Sequence, residues 1–173
     1  RDWAMKHARI HTVKAWLAAA CLGLAAAPSL AAPDLHQYWD GRCRPCHGDA
    51  GDFARRSLQV DTRGRLLGAH HREQLDVFLR QHYLAEDLVA PVTAMLAAQA
   101  VTPPLFKTHC ARCHGPAAEF ARQSLTLRNG VPAGKASGRA VAETLRSHGG
   151  LGAEEIRIVV DALTRVMAET GTP

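Results

Sequence analysis

Aromatic side chains make up only 5% of the 173 residues. If the chain divides into two small domains, each has a thin core, the regime in which a metal or cofactor commonly staples the fold. No stretch alternates apolar and polar residues at period two over strand length, which argues against an extended sheet and predicts an all-α fold. No apolar run reaches the roughly 20 residues of a membrane span; the main candidate, Val13 to Ala27, stops at Pro28. A one-sided charge is missing as well. The formal net charge is +5, but Arg1, Lys6, Arg9 and Lys14, against Asp2, lie in the first 31 residues, leaving 17 basic and 15 acidic side chains beyond them. That balance gives no basic face for nucleic acid. The composition that remains, 47% apolar and 21% charged, is that of a globular protein.

The first 31 residues read as an export signal. Lys6, Arg9 and Lys14 form a basic region, an alanine-rich apolar run follows, and Ser29-Leu30-Ala31 offers small residues for cleavage after Ala31. Met5 is the expected start. A retained anchor is the competing reading, and the length of the run counts against it. Cys21 is either a lipid-modified cysteine or a small apolar residue in a discarded segment, and the leucine usual three residues upstream of a lipidated cysteine is missing. Mature domains are then expected at residues 32–101 and 102–173, in the periplasm and without a transmembrane span.

Self-comparison reveals a duplication. The segment from Cys43-Arg44-Pro45-Cys46-His47-Gly48 to Ser57-Leu58 recurs from Cys110-Ala111-Arg112-Cys113-His114-Gly115 to Ser124-Leu125, with ten of sixteen residues identical, Phe53 and Phe120 among them. After a one-residue deletion, Gly64 and Gly68 face Gly130 and Gly134, and Leu79-Arg80-Gln81-His82 faces Leu145-Arg146-Ser147-His148. Each copy reads as a short helix into the cysteine motif (Asp34 to Cys46; Leu105 to Cys113), then a glycine-punctuated loop. A middle helix follows (about His71 to Gln81; about Ser137 to Ser147, capped by Ser137), then a last helix (Leu88 to Ala98 with Pro91 in its first turn; Ala153 to Ala168). Val101-Thr102-Pro103-Pro104 marks the linker.

C-x-x-C-H is the attachment signature of c-type haem. Thiols three residues apart on one helical turn point the same way, where each adds to one vinyl group of the porphyrin, and the next residue supplies an imidazole to the iron. The spacing argues against a shared four-cysteine zinc site: the two pairs lie some sixty residues apart, against roughly 15 to 20 in a compact zinc ribbon. Thioredoxin-like chemistry lacks its βαβ setting.

On these motifs, over roughly residues 34–170, the chain resembles the class I cytochromes c in their tandem diheme form. The resemblance implies two small helical domains, each wrapped around one covalent haem c. Cys43, Cys46, Cys110 and Cys113 would be the thioether anchors, and His47 and His114 the proximal iron ligands. It also implies single-electron transfer between periplasmic or inner-membrane redox partners, and not enzymatic catalysis.

The sequence departs from the family on the far side of the iron. Typical members place a methionine before the last helix; here Met95 and Met167 lie within the last helices, where core packing accounts for them. His82 and His148 occupy the expected place in both copies and in register, which favours bis-imidazole coordination. The alternative is that they merely end a helix, where a cation suits the dipole. His70 and His71 face Ala136 and Ser137 and could serve only the first haem. His36 and His109 read as exposed, and Arg80 and Arg146 as either propionate partners or solvated. Imidazole in place of methionine implies low potentials, since methionine raises them. The competing function is a haem enzyme or a gas- or peroxide-binding cytochrome with one open iron, for which no polar distal cluster stands out.

Because the attachment chemistry takes place after export, deleting Met5 to Ala31 is expected to yield haem-free, poorly folded protein. Intact mass and circular dichroism check this; a stable haem-bearing product from that chain refutes it.

Overall fold

A computed structural model describes residues 33–69 and 75–172. The export segment, Cys21, His70 and His71 lie outside the described residues. The described residues are mostly helical, and among them each copy of the repeat contributes five helices and one hairpin in the same order. The first copy runs α1 (Leu35–Arg42), α2 (Arg44–His47), α3 (Ala50–Ser57), β1 (Leu58–Val60), β2 (Leu66–Gly68), α4 (Leu75–Arg80) and α5 (Glu86–Val101). The second runs α6 (Leu105–His109), α7 (Ala111–His114), α8 (Ala117–Ser124), β3 (Leu125–Arg128), β4 (Val131–Gly134), α9 (Val141–Leu145) and α10 (Ala153–Glu169).

The hairpins correct the all-α expectation. β1 pairs antiparallel with β2 from Leu58↔Gly68 to Val60↔Leu66, and β3 with β4 from Leu125↔Gly134 to Arg128↔Val131. Strands of three and four residues are too short for a period-two pattern to emerge, so the legible signal lies in the turn. Asn129 and Gly130 both take positive φ, +52° and +77°, the backbone that Asn-Gly hairpin turns require.

Helix boundaries also move. The segment entering each cysteine motif is two helices, because the chain bends at Cys43 and Cys110 before restarting for a single turn. α3 and α8 occupy the stretch read as loop. They fit there because Asp49 caps α3, accepting from the Asp52 backbone N–H at 3.0 Å, and because both helices turn an alanine inward. Ser137 does not cap the middle helix of the second copy: α9 begins after Ala140, and the Ser137 hydroxyl accepts instead from the Arg139 backbone N–H. α5 starts at Glu86, which puts Pro91 in its second turn rather than its first. No helix among the described residues is long and apolar enough to cross a membrane.

Two clusters of buried residues form the core, one within each copy. Leu35, Trp39, Ala54, Leu58, Val92, Met95 and Leu96 pack together in the first, and Phe106, Ala121, Leu125, Val159, Leu163, Val166 and Met167 in the second. Ala54 and Ala121 match in the repeat and have no solvent exposure, so α3 lies close on α5 and α8 on α10. Met95 and Met167 are 1% and 0% exposed and fill these interiors.

Polar contacts join the copies. His36 on α1 meets Glu169 at the end of α10 at 2.7 Å, Arg122 donates to Asp34 at 2.6 Å, and Lys107 donates to Asp52 at 2.5 Å. His36 is therefore not the exposed residue expected from sequence: its side chain is 15% exposed and that of Glu169 is 9%. The repeat offered no hint, because this contact belongs to only one copy. Removing His36 takes one of two partners from a buried carboxylate and leaves it Arg165 at 3.3 Å, so His36→Ala is expected to cost about 1–2 kcal/mol in denaturant unfolding. Lys107→Ala, at a pair 51% and 38% exposed, is expected to cost less than about 1 kcal/mol.

Candidate functional site

Each cysteine motif is a single helical turn held by its own backbone. Cys46 and His47 donate to the Cys43 carbonyl at 3.1 and 2.9 Å, and Cys113 and His114 to the Cys110 carbonyl at 3.1 and 3.0 Å. The chain then leaves at Gly48 and Gly115, with φ of +74° and +72°. A side chain is disfavoured in that backbone region, which explains why glycine follows the histidine in both copies. Cys43 and Cys110 are half-buried, Cys46 and Cys113 are exposed, and all four thiols are free.

Burial pushes the Cys43 and Cys110 thiols above the ordinary cysteine range. A disulfide-exchange motif needs the reverse, a thiolate favoured by its surroundings. Among the described residues no three His, Cys, Asp or Glu side chains converge as a metal site. A haem iron asks less of the chain, because the porphyrin supplies four of its ligands and the protein needs to offer only the two axial ones.

Two axial candidates do come together in each copy. The rings of His47 and His82 have centroids 6.0 Å apart at an interplanar angle of 66°; those of His114 and His148 are 5.9 Å apart at 73°. With metal–imidazole bonds of roughly 2 Å and each ring centre about 1 Å beyond its nitrogen, two imidazoles on opposite sides of one iron have centroids about 6 Å apart. The residues present fit the group. His47 is held below the ordinary histidine range, first by burial and then by the nearby His82, which favours the neutral imidazole that a metal binds.

Aromatic rings back the imidazoles of the two cysteine motifs, and the sequence reading gave them no role. Phe53 meets His47 edge-on at 4.6 Å and 61°, and Phe120 meets His114 at 4.9 Å and 59°. Behind them stand Trp39, 5.5 Å from Phe53, and Phe106, 5.5 Å from Phe120. Trp39 adds a hydrogen bond from its indole N–H to the Gly48 carbonyl at 2.9 Å, fastening the exit from the motif. The signal was available: Phe53 and Phe120 recur in register, as do the aromatic positions 39 and 106.

The remaining candidates divide. Met95 and Met167 are enclosed in the two cores. His109 is exposed. Arg80 and Arg146 are both exposed; Arg80 donates to Glu86 and Asp76 at 3.0 Å each, whereas Arg146 makes no ion pair among the described residues. Compared with known proteins, the chain matches no family model, no curated protein and no solved structure.

Because α2 and α7 are one turn long, their histidines depend on the ring behind them. Phe120→Ala is expected to lower stability by about 2 kcal/mol, below the usual cost for a fully enclosed ring because Phe120 is only half-buried. Equilibrium unfolding checks the loss, with the exposed Thr144→Ala as the neutral comparison.

Proposed function

We propose that the chain is a periplasmic electron carrier of the diheme c-type cytochrome kind, two helical units each holding one haem c. The single observation that carries this reading is the coincidence, in both copies, of C-x-x-C-H with a second histidine about 6 Å from the first. Neither feature alone reaches so far. The motif by itself suits other chemistry, and a histidine pair by itself is a common surface accident.

In this reading Cys43 and Cys46 anchor one haem, and Cys110 and Cys113 the other. When bound, haem supplies an iron that changes oxidation state by one electron. The chain's part is to fix what surrounds it. His47 and His114 present imidazoles from one side, held in orientation by Phe53 and Phe120. His82 and His148 present imidazoles from the other. With two imidazoles of the chain available to hold each iron, no substrate would need to reach it, which suits a carrier better than a catalyst. Imidazole on both sides keeps the potentials low, matched to low-potential periplasmic or inner-membrane donors.

The intact mass of the exported protein is expected to equal the chain cleaved near Ala31 plus two haems; a haem-free mass after expression with a cytochrome c maturation system overturns the reading. The oxidised protein is expected to be low-spin without the far-red band of methionine–iron ligation. His82→Met and His148→Met, where the thioether reaches the iron, should each raise the potential of one haem and leave the other nearly unchanged, within the ~0.8 V span that axial ligands command. Met95→Leu or Met167→Leu altering the spectrum while His148→Ala does not would reassign the distal ligands.

A further inference from the structure

We infer that the two distal histidines are held unequally, and that His148, not His82, gives way to a small neutral diatomic ligand when the protein is reduced. The inference rests on the diheme reading and deepens it by assigning a ligand-binding position to the second copy.

His82 is held from several directions. Phe78, one turn earlier on α4, stacks on its ring at 4.8 Å and 27°, and Tyr83 meets the ring edge at 5.4 Å. Arg80 bridges α4 and α5 by donating to Asp76 and Glu86, which braces the short step from His82 to Glu86. The closing turn is tight: Gln81 and His82 donate to the Phe78 and Leu79 carbonyls, both at 3.0 Å.

Among the described residues, neither the stacked ring, the Tyr83 contact nor the arginine brace has a counterpart in the second copy. Phe78 faces Thr144, Tyr83 faces Gly149 and Asp76 faces Ala142, and Arg146 makes no ion pair among the described residues. The closing turn is looser there, with Ser147 and His148 donating to Thr144 and Leu145 at 3.3 and 3.4 Å. His148 then leads into Gly149-Gly150-Leu151-Gly152, where Gly149 and Gly150 have φ of +94° and +65°, a backbone with few steric restraints. His114 and His148 are both exposed, whereas His47 and His82 are half-buried.

Displacement breaks one iron–nitrogen bond and forms one iron–carbon bond with carbon monoxide, and no electron moves. What decides the outcome is what the departing ring gives up. His82 forfeits an aromatic stack and an edge contact with Tyr83, and must swing against a braced helix end. His148 forfeits neither and swings on glycines into water. A stacked ring alone shifts such an equilibrium about fivefold.

The experiment uses the exported holoprotein, with two haems per chain verified by mass and by pyridine haemochrome, reduced with dithionite and titrated with carbon monoxide. Wild type is expected to bind one carbon monoxide per chain, His82→Ala two, and His148→Ala one. Thr144→Phe, a surface substitution that rebuilds the stack, should weaken wild-type binding about fivefold. Wild type binding none or two, or His148→Ala binding two while His82→Ala binds one, overturns the assignment. A haem count other than two per chain removes the reading beneath it, an outcome visible before any gas is added.

Discussion

The close packing of α3 on α5, and of α8 on α10, is the constraint on which both candidate sites depend. The residues at those contacts, Ala54 and Ala121, have no exposed surface, and a larger side chain there would drive the helices apart. Next along each helix, Phe53 and Phe120 are thereby brought against His47 and His114. The turns that carry those histidines span four residues, too short to hold themselves by helix propagation. Their geometry is borrowed from the longer helices through one alanine and one phenylalanine per copy.

The same constraint explains where the copies were free to diverge. On the last helices, Leu88, Val92, Met95 and Leu96 are buried in the first copy, and Val159, Leu163, Val166 and Met167 in the second, with the same spacing. Superposing those positions sets Met95 against Val166 and Leu96 against Met167. The methionine has changed place with its neighbour, a swap that roughly conserves core volume. Around His82 and His148 the copies differ more: Tyr83 is 96% exposed at φ +59° where the second copy has Gly149. An aromatic residue in that backbone region carries strain of order 1 kcal/mol, so its presence beside His82 is a cost that only the first copy bears.

Much of this was legible in the sequence because duplication turns one sequence into two readings of the same fold. Matching Cys43 with Cys110 and His82 with His148 located the motif turns and the second histidines, and helical spacing located α10 to within a residue of its end. What was missed has physical reasons. The three- and four-residue strands are below the length at which alternation carries information. α3 and α8 are short and rich in alanine and charge, and their buried residues are all small: Ala50, Gly51 and Ala54 in one, Ala118 and Ala121 in the other. His36 and Glu169, 133 residues apart, join only because the two copies dock, and a contact between copies leaves no trace in a comparison of one copy with the other.

The distribution of burial carries the argument one step further. Within each copy the enclosed apolar residues lie where the early helices meet the last one, while the histidines, their backing phenylalanines and the cysteine thiols are only half-buried or exposed. On α4, the helix that leads to His82, Val77 and Phe78 are 50% and 52% exposed. Leaving such surface in water costs roughly 25 cal/mol for each Å² that could be covered, and with aromatics at 5% of the chain few other large groups are available to cover it. A flat, largely apolar macrocycle inserted between the paired imidazoles would cover this surface while filling the one gap the ring spacing leaves. In the proposed diheme reading, cofactor attachment and completion of the fold would be a single event, and a chain lacking the group would also lack the contacts that hold His82 and His148.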